Sequence, residues 1–187
     1  MTQIFLAYQR LLRAVEAFSP LLYLAIRVLL FCAFYQAGMT KFANIEGTAD
    51  WFTSLGIPLP TLMAYTAALT ELVGAFLLLV GFATRLISLP LIIVMLVAIF
   101  SVHLDYGWSA IASGNDPEIA IRLERGRALL ADYGHYDWLT EKGAWVILNN
   151  GVEFSVIYLL FLWVLLTQGP GRWVSIDHYI QRFLDRK

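Results

Sequence analysis

Four runs of about twenty apolar residues dominate this chain, at 20–40, 61–81, 86–104 and within 144–168. About 20 such residues are what a helix needs to cross the hydrocarbon of a bilayer, since each adds about 1.5 Å. The runs are continuous rather than alternating, which spells helices and not the strands of a barrel. Pro20 suits a first helical turn, the loop Gly56-Ile57-Pro58-Leu59-Pro60 precedes the second run, and Pro90 lies near the start of the third. Gly169-Pro170-Gly171 cannot continue the fourth. Hydrophobic residues make up 59% of the chain and charged ones only 14%, against about 25% in soluble domains, so polar groups are too few to cover a water-soluble surface. The expected fold is therefore all-α: one integral-membrane four-helix bundle, with helices at 20–40, 61–81, 86–104 and 146–168 and a long outer loop over 105–145.

A net charge of −1 gives no reason to expect a nucleic-acid partner; the lipid bilayer is the expected one. The single cysteine, Cys32, excludes an internal disulfide, a CxxC pair and a cysteine zinc site. Redox chemistry would therefore need a cofactor or a partner protein. No cleavable leader is expected at the start, where Arg10, Arg13 and Glu16 interrupt the apolar residues. Ile4, Tyr8, Leu11, Val15 and Phe18 recur at helical spacing, with the polar residues mostly off that face. This predicts an amphipathic helix lying on the membrane surface, the alternative being a helix packed on the bundle.

With four spans, both termini and the short turn at 82–85 share one side. That side carries Arg10, Arg13, Arg85, Arg172, Arg182, Arg186 and Lys187; the other carries Lys41, Arg122, Arg125, Arg127 and Lys142. The excess of positive charge predicts both termini in the cytoplasm. Trp51, Trp108, Trp145 and Trp173 fall near the expected boundaries, as an aromatic belt requires. The outer loop is too long for a mere connector. Within it Asp116-Pro117-Glu118 reads as an N-cap, a proline at the first helical position and an acid in the first turn, which predicts a short amphipathic helix at 118–132.

A charge inside hydrocarbon costs at least about 2.5 kcal/mol, so ionisable groups in the spans need partners. Arg27 lies about one third of the way into the first run and Glu71 near the middle of the second. Their depths differ by roughly 5 Å at 1.5 Å per residue, which predicts a direct or water-bridged approach. Such a pair either fixes helix register or serves function. A second set, Gln36, Lys41, His103, Asp105 and Glu153, belongs to the outer mouth by depth. Acid, imidazole and amine there suit a metal, a quinone head group or a polar substrate. Each also has a plainer reading: Lys41 snorkelling to the interface, His103 satisfied at the boundary, and Glu153 closing a capping box with Asn150. Whether Glu153 is buried or a cap stays open. His103 and Glu153 are weak metal candidates, a site at the isolated His135 is weak too, and no catalytic motif such as HExxH, GxSxG or a P-loop occurs. Ala64, Ala67, Ala68, Gly74 and Ala75 give the second helix surfaces for close packing in lipid.

Arg27, Gly38-Met39-Thr40-Lys41, Thr70-Glu71-Leu72-Val73-Gly74, Gly81-Phe82-Ala83-Thr84-Arg85 and Gly169-Pro170-Gly171-Arg172 with Ser175 and Asp177 occur in an order that resembles the DoxX family of four-helix membrane proteins. The loop stretch 131–141 together with 146–154 is similar to the HvfX-type subgroup. That resemblance implies a role in maturing, exporting or handling copper-binding, post-translationally modified peptides, with the peptide or its maturation enzymes as partners. Other DoxX relatives imply a quinone-linked oxidoreductase subunit instead, with a head-group pocket near Glu71 or His103. A small transporter or assembly scaffold is the third reading, although no inverted repeat is evident. The resemblance leaves open whether the chain is itself catalytic, which cofactor (quinone or copper) it meets, and whether it forms oligomers.

Overall fold

The computed structural model describes residues 2–186, with side chains from Phe5 onward. The Ile4 side chain and Lys187, both counted in the sequence reading, lie outside the described residues. The described chain is helical: α1 (Thr2–Ala17), α2 (Ser19–Ala43), α3 (Ile45–Ser54), α4 (Pro60–Val80), α5 (Thr84–Ala98), α6 (Pro117–Tyr133), α7 (Tyr136–Thr140), α8 (Glu153–Gln168) and α9 (Ile176–Leu184). The chain divides into one unit of residues 1–97 and 157–187 and another of residues 98–156.

In the first unit, proline sits in the opening turn of both α2 and α4, where a missing N–H costs nothing. Asn44 caps α3 by accepting a hydrogen bond from the Gly47 N–H at 3.0 Å. Gly81 closes α4 in the left-handed conformation (φ 63°), its N–H donating back to Leu77 and Leu78. Ala64, Ala68, Glu71, Ala75 and Leu78 lie at helical spacing on the buried face of α4. Leu30 and Phe34 of α2, Leu91 of α5, and Leu162 and Leu165 of α8 complete the core. The outward faces are also apolar, with Leu69, Val73, Phe76, Leu86 and Ile93 exposed, as expected where lipid replaces water.

Three helices are long and apolar enough to cross a membrane, within 5–43, 60–80 and 84–106. These make the chain an all-helical protein built for a bilayer. The fourth apolar helix is shorter than the sequence suggests. It begins at Glu153 rather than near 146, and its 16 residues span about 24 Å at the α-helical rise. Asn150 takes φ 62°, and Gly151 passes so close to Trp108 that a Cβ there would lie 2.6 Å from its backbone. Neither geometry is compatible with a continuing helix, despite the apolar run Trp145-Val146-Ile147-Leu148. The helices α3, α7 and α9 occupy segments to which the sequence reading assigned no helix. The third span also changes character: α5 passes into a π turn at Ile99–His103 and a 3₁₀ turn at Leu104–Tyr106.

The backbones of α2 and α4 approach closely at Gly38. A Cβ built on Gly38 would lie 2.8 Å from Leu72 Cγ and 3.1 Å from the Leu72 backbone nitrogen. The nitrogen belongs to a helix and cannot yield. Gly38→Val is expected to destabilise by about 1–3 kcal/mol through overpacking, read as a lower midpoint in detergent unfolding titrations; an unchanged midpoint would contradict this packing.

In the second unit, Asp116 caps α6 by accepting from the N–H groups of Glu118 and Ile119, with Pro117 in the first turn. Glu118 and Arg122 pair across one turn on its exposed side. Leu123 is buried, Gly126 faces the Trp145 indole, and an isolated bridge joins Ile111 to Leu148.

Candidate functional site

The expectation that Arg27 and Glu71 approach one another is corrected by the structure. Both are buried, at 0% and 1% exposure, but among the described residues each is bonded elsewhere. Arg27 lies at the end of α4, where the last carbonyls have no intrahelical donor. Its Nε donates to Leu78 O at 2.7 Å and its Nη2 to Leu79 O at 2.5 Å and Val174 O at 2.6 Å. Its Nη1 donates to Pro170 O at 3.2 Å and Trp173 O at 3.1 Å. The planar guanidinium fan suits this task, since it offers five donors in fixed directions. Gly81 makes room for it: a Cβ there would lie 2.9 Å from Arg27 Cζ. Arg27 is thus level with residue 81, ten residues or about 15 Å along the helix from Glu71. The sequence-based depth took the start of the first run to lie level with the end of the second, and the real offset removes the pairing.

The same end of the unit is tied by Asp177. Its carboxylate accepts from the N–H groups of Ala83 at 2.7 Å and Thr84 at 2.9 Å, so it caps α5 from a distant segment. Its own N–H donates to Gly81 O at 2.9 Å.

Glu71 instead pairs with Lys41, whose Nζ lies 2.9 and 2.7 Å from the two carboxylate oxygens. Lys41 therefore turns inward and does not snorkel as its plainer reading had it. Its side chain keeps 20% exposure against 2% for Glu71, so the carboxylate is the enclosed partner and the ammonium the accessible one. An ammonium has three donors, and the two bonds to Glu71 leave a third for another acceptor.

That ammonium borders a cleft of about 430 Å³. Gln36, Thr40 and Lys41 of α2 supply its polar wall, Thr48 and Trp51 of α3 a second, and Tyr158 of α8 a third, over Ala33 and Ala37. Gln36 and Lys41, which the sequence reading placed together at the outer mouth, both line the cleft, while Glu71, which it paired with Arg27, binds Lys41 from behind. Trp51, Thr48 and Tyr158 were missed. Thr48 and Trp51 sit on α3, in a segment to which the sequence reading assigned no element, and nothing in sequence spacing singles out Tyr158.

His103 and Glu153 belong to the second unit and each has a backbone partner. His103 Nδ1 lies 2.7 Å from Asn150 O. Glu153 Oε2 accepts from the Ala110 N–H at 3.1 Å, while its own N–H donates to Trp108 O. Glu153 is thus a half-buried residue in the first turn of α8, and the capping box with Asn150 does not form because the Glu153 N–H donates to Trp108 O, the Asn150 N–H donates to Ala110 O and the Glu153 carboxylate accepts from Ala110. Among the described residues no group of three or more His, Cys, Asp or Glu could hold a metal.

Residues 22–104 match the DoxX family. The DoxX segment contains Arg27, Gln36, Lys41, Glu71 and His103, hence the whole ion pair and two of the three cleft walls. It does not contain Pro170, Trp173 and Val174, which complete the shell of Arg27. The chain is similar to the putative oxidoreductase CatD of Bacillus subtilis, 38% identical over 81 residues that cover 43% of this chain and 59% of that protein. It is similar to the inner membrane protein YphA of Escherichia coli, 36% identical over 69 residues, covering 37% of this chain and 49% of that one. An uncharacterized protein of Haemophilus influenzae is 24% identical over 168 residues, covering 88% of this chain and 86% of its own length. The chain thus spans about half the length of the first two relatives. No solved structure matches.

Proposed function

We propose that this chain is a DoxX-family protein of the bacterial inner membrane and the quinone-handling membrane subunit of an oxidoreductase. In this reading it has four spanning helices and both termini in the cytoplasm. The observation that carries the reading is the cleft beside Lys41, where a charge-compensated ammonium is reachable from a space edged by aromatic rings. A quinone head group needs a flat apolar sandwich and a hydrogen-bond donor at its carbonyl oxygen. Trp51 and Tyr158 supply the first, and the third N–H of Lys41, with Gln36 and Thr40, supplies the second. Glu71 holds the ammonium in place and compensates its charge, so binding a neutral quinone leaves no bare ion in hydrocarbon. Electrons would come from a partner subunit. The similarity of 43% of this chain to a protein named putative oxidoreductase supports this assignment.

The test is labelling of the purified, reconstituted protein with a photoreactive quinone, with labelled peptides mapped by mass spectrometry. Label is expected on the peptides covering 33–51, competed away by unmodified quinone and reduced about tenfold by Gln36→Leu, since losing a site's polar contact costs about 1–2 kcal/mol. Uncompeted label spread over the lipid-facing residues would overturn the reading.

A second reading places the chain in the HvfX-type subgroup, as an accessory for a copper-binding modified peptide. It is favoured by the breadth of the similarity to the Haemophilus influenzae protein, which covers 88% of this chain against 43% and 37% for the other two relatives. Copper tolerance that requires both this chain and such a peptide would favour it over quinone binding.

A further inference from the structure

We propose that α9 is an interfacial anchor, lying along the membrane surface with its apolar stripe in the lipid boundary and its arginines among anionic head groups. The proposal rests on the bilayer reading of the long helices but not on the quinone reading.

The level of α9 is fixed by its first turn. Asp177 is tied through three hydrogen bonds to Gly81, Ala83 and Thr84, the turn that joins α4 to α5. That turn links two membrane-length helices, so it marks a bilayer boundary, and α9 starts there. From this point α9 exposes Ile176, Tyr179, Ile180 and Leu184 on one arc, at 44, 64, 44 and 60%. Asp177, His178, Gln181 and Arg182 occupy the other arc. An apolar stripe with a charged opposite face, held at the end of a span, is covered by lipid rather than by water.

Two observations agree. A Cβ on Gly171 would lie 2.8 Å from Tyr23 Cβ, so the segment leading into α9 rests on the first turns of α2. The helix α1 leads into α2 at that same end, and it too exposes an apolar face through Tyr8, Leu11 and Val15. Charge fits as well. Arg172, Arg182 and Arg186 are exposed, while the Asp177 carboxylate is turned onto backbone N–H groups and leaves Asp185 as the acid near them. Anionic head groups attract such a cluster at the surface.

Single cysteines placed in a Cys32→Ser background and labelled with an environment-sensitive fluorophore test the proposal. The positions are Ile180→Cys on the apolar arc, Gln181→Cys on the polar arc and Ile93→Cys on the exposed side of α5. The protein is reconstituted into vesicles of phosphatidylcholine with phosphatidylglycerol, carrying nitroxide lipids labelled high or low on the acyl chain. The expected result is blue-shifted emission at 180, quenched several-fold more strongly than at 181 by the high nitroxide, with 93 quenched best by the low one. Omitting phosphatidylglycerol should weaken quenching at 180. Water-like, unquenched emission at 180 with normal quenching at 93 would overturn the anchor alone. Blue-shifted emission at 180 that depends on protein density and ignores the nitroxide would mean that a second copy covers the stripe, and would also overturn it. Loss of quenching at 93 as well would overturn the bilayer reading beneath it.

Discussion

Arg27→Leu is expected to lower the stability of the folded protein by about 3–5 kcal/mol, the usual cost of removing one partner from a buried charged arrangement. Leucine fills part of the volume but supplies no donor. Leu78 O keeps a hydrogen bond from the Gly81 N–H, but the carbonyls of Leu79, Pro170, Trp173 and Val174 lose the guanidinium in a site where its exposure is zero. Each buried carbonyl left without a partner costs about 1–3 kcal/mol. Arg27→Lys should recover only part of the loss, because three donors on a flexible stem cannot reach acceptors arranged for a planar fork. Thermal unfolding in detergent, followed by loss of the monodisperse chromatographic peak, reads the effect. An Arg27→Leu protein as stable as the parent would show that the carbonyls find other donors and that Arg27 is not the tie between α4 and the segment after α8.

The second large effect concerns Lys41 and Glu71, and it is asymmetric. Lys41→Met leaves the Glu71 carboxylate enclosed at 2% exposure with its cation removed, and should cost about 3–5 kcal/mol. Glu71→Leu should cost less, since the freed ammonium is 20% exposed and can swing into the cleft. The double substitution should be more stable than Lys41→Met alone, because replacing both members of a buried pair by apolar groups of similar size is often neutral or stabilising. It should nevertheless show no competed quinone label. A double-mutant cycle in stability, run beside the labelling assay, separates the two roles. If the double variant loses as much stability as the singles added together, the pair is not coupled and its geometry is misread.

Much of this architecture is legible in the sequence, and for a simple reason. The spans α2, α4 and α5 announce themselves because nothing but a bilayer accommodates such runs, and the burial of Arg27 and Glu71 follows from the cost of exposing charge to lipid. Their partners are not legible. Which carboxylate meets which cation depends on the axial offset between α2 and α4. That offset is set by α3 and the loop after it, where Ala49 and Phe52 pack against Ala64. No periodicity in a ten-residue helix is strong enough to reveal this. The start of α8 was misplaced because Trp145-Val146-Ile147-Leu148 looks like the first turn of a span; Asn149-Asn150-Gly151 carried the turn signal that should have outweighed it. The cleft is harder still. Its walls come from three helices, and only Lys41, Gln36 and the buried Glu71 had any chemical reason to be noticed.

The shell of Arg27 also sets the order in which this protein can be completed during synthesis. Its acceptors on α4 lie 51 and 52 residues downstream, but the remaining three lie 143, 146 and 147 residues downstream. Until the ribosome has delivered residues 170–174, the guanidinium has only part of its final coordination. Arg27 therefore stays incompletely hydrogen-bonded until 147 further residues have been made. A product that stops before Pro170 would carry that defect permanently, which makes it recognisable to the proteases that clear unfinished membrane proteins.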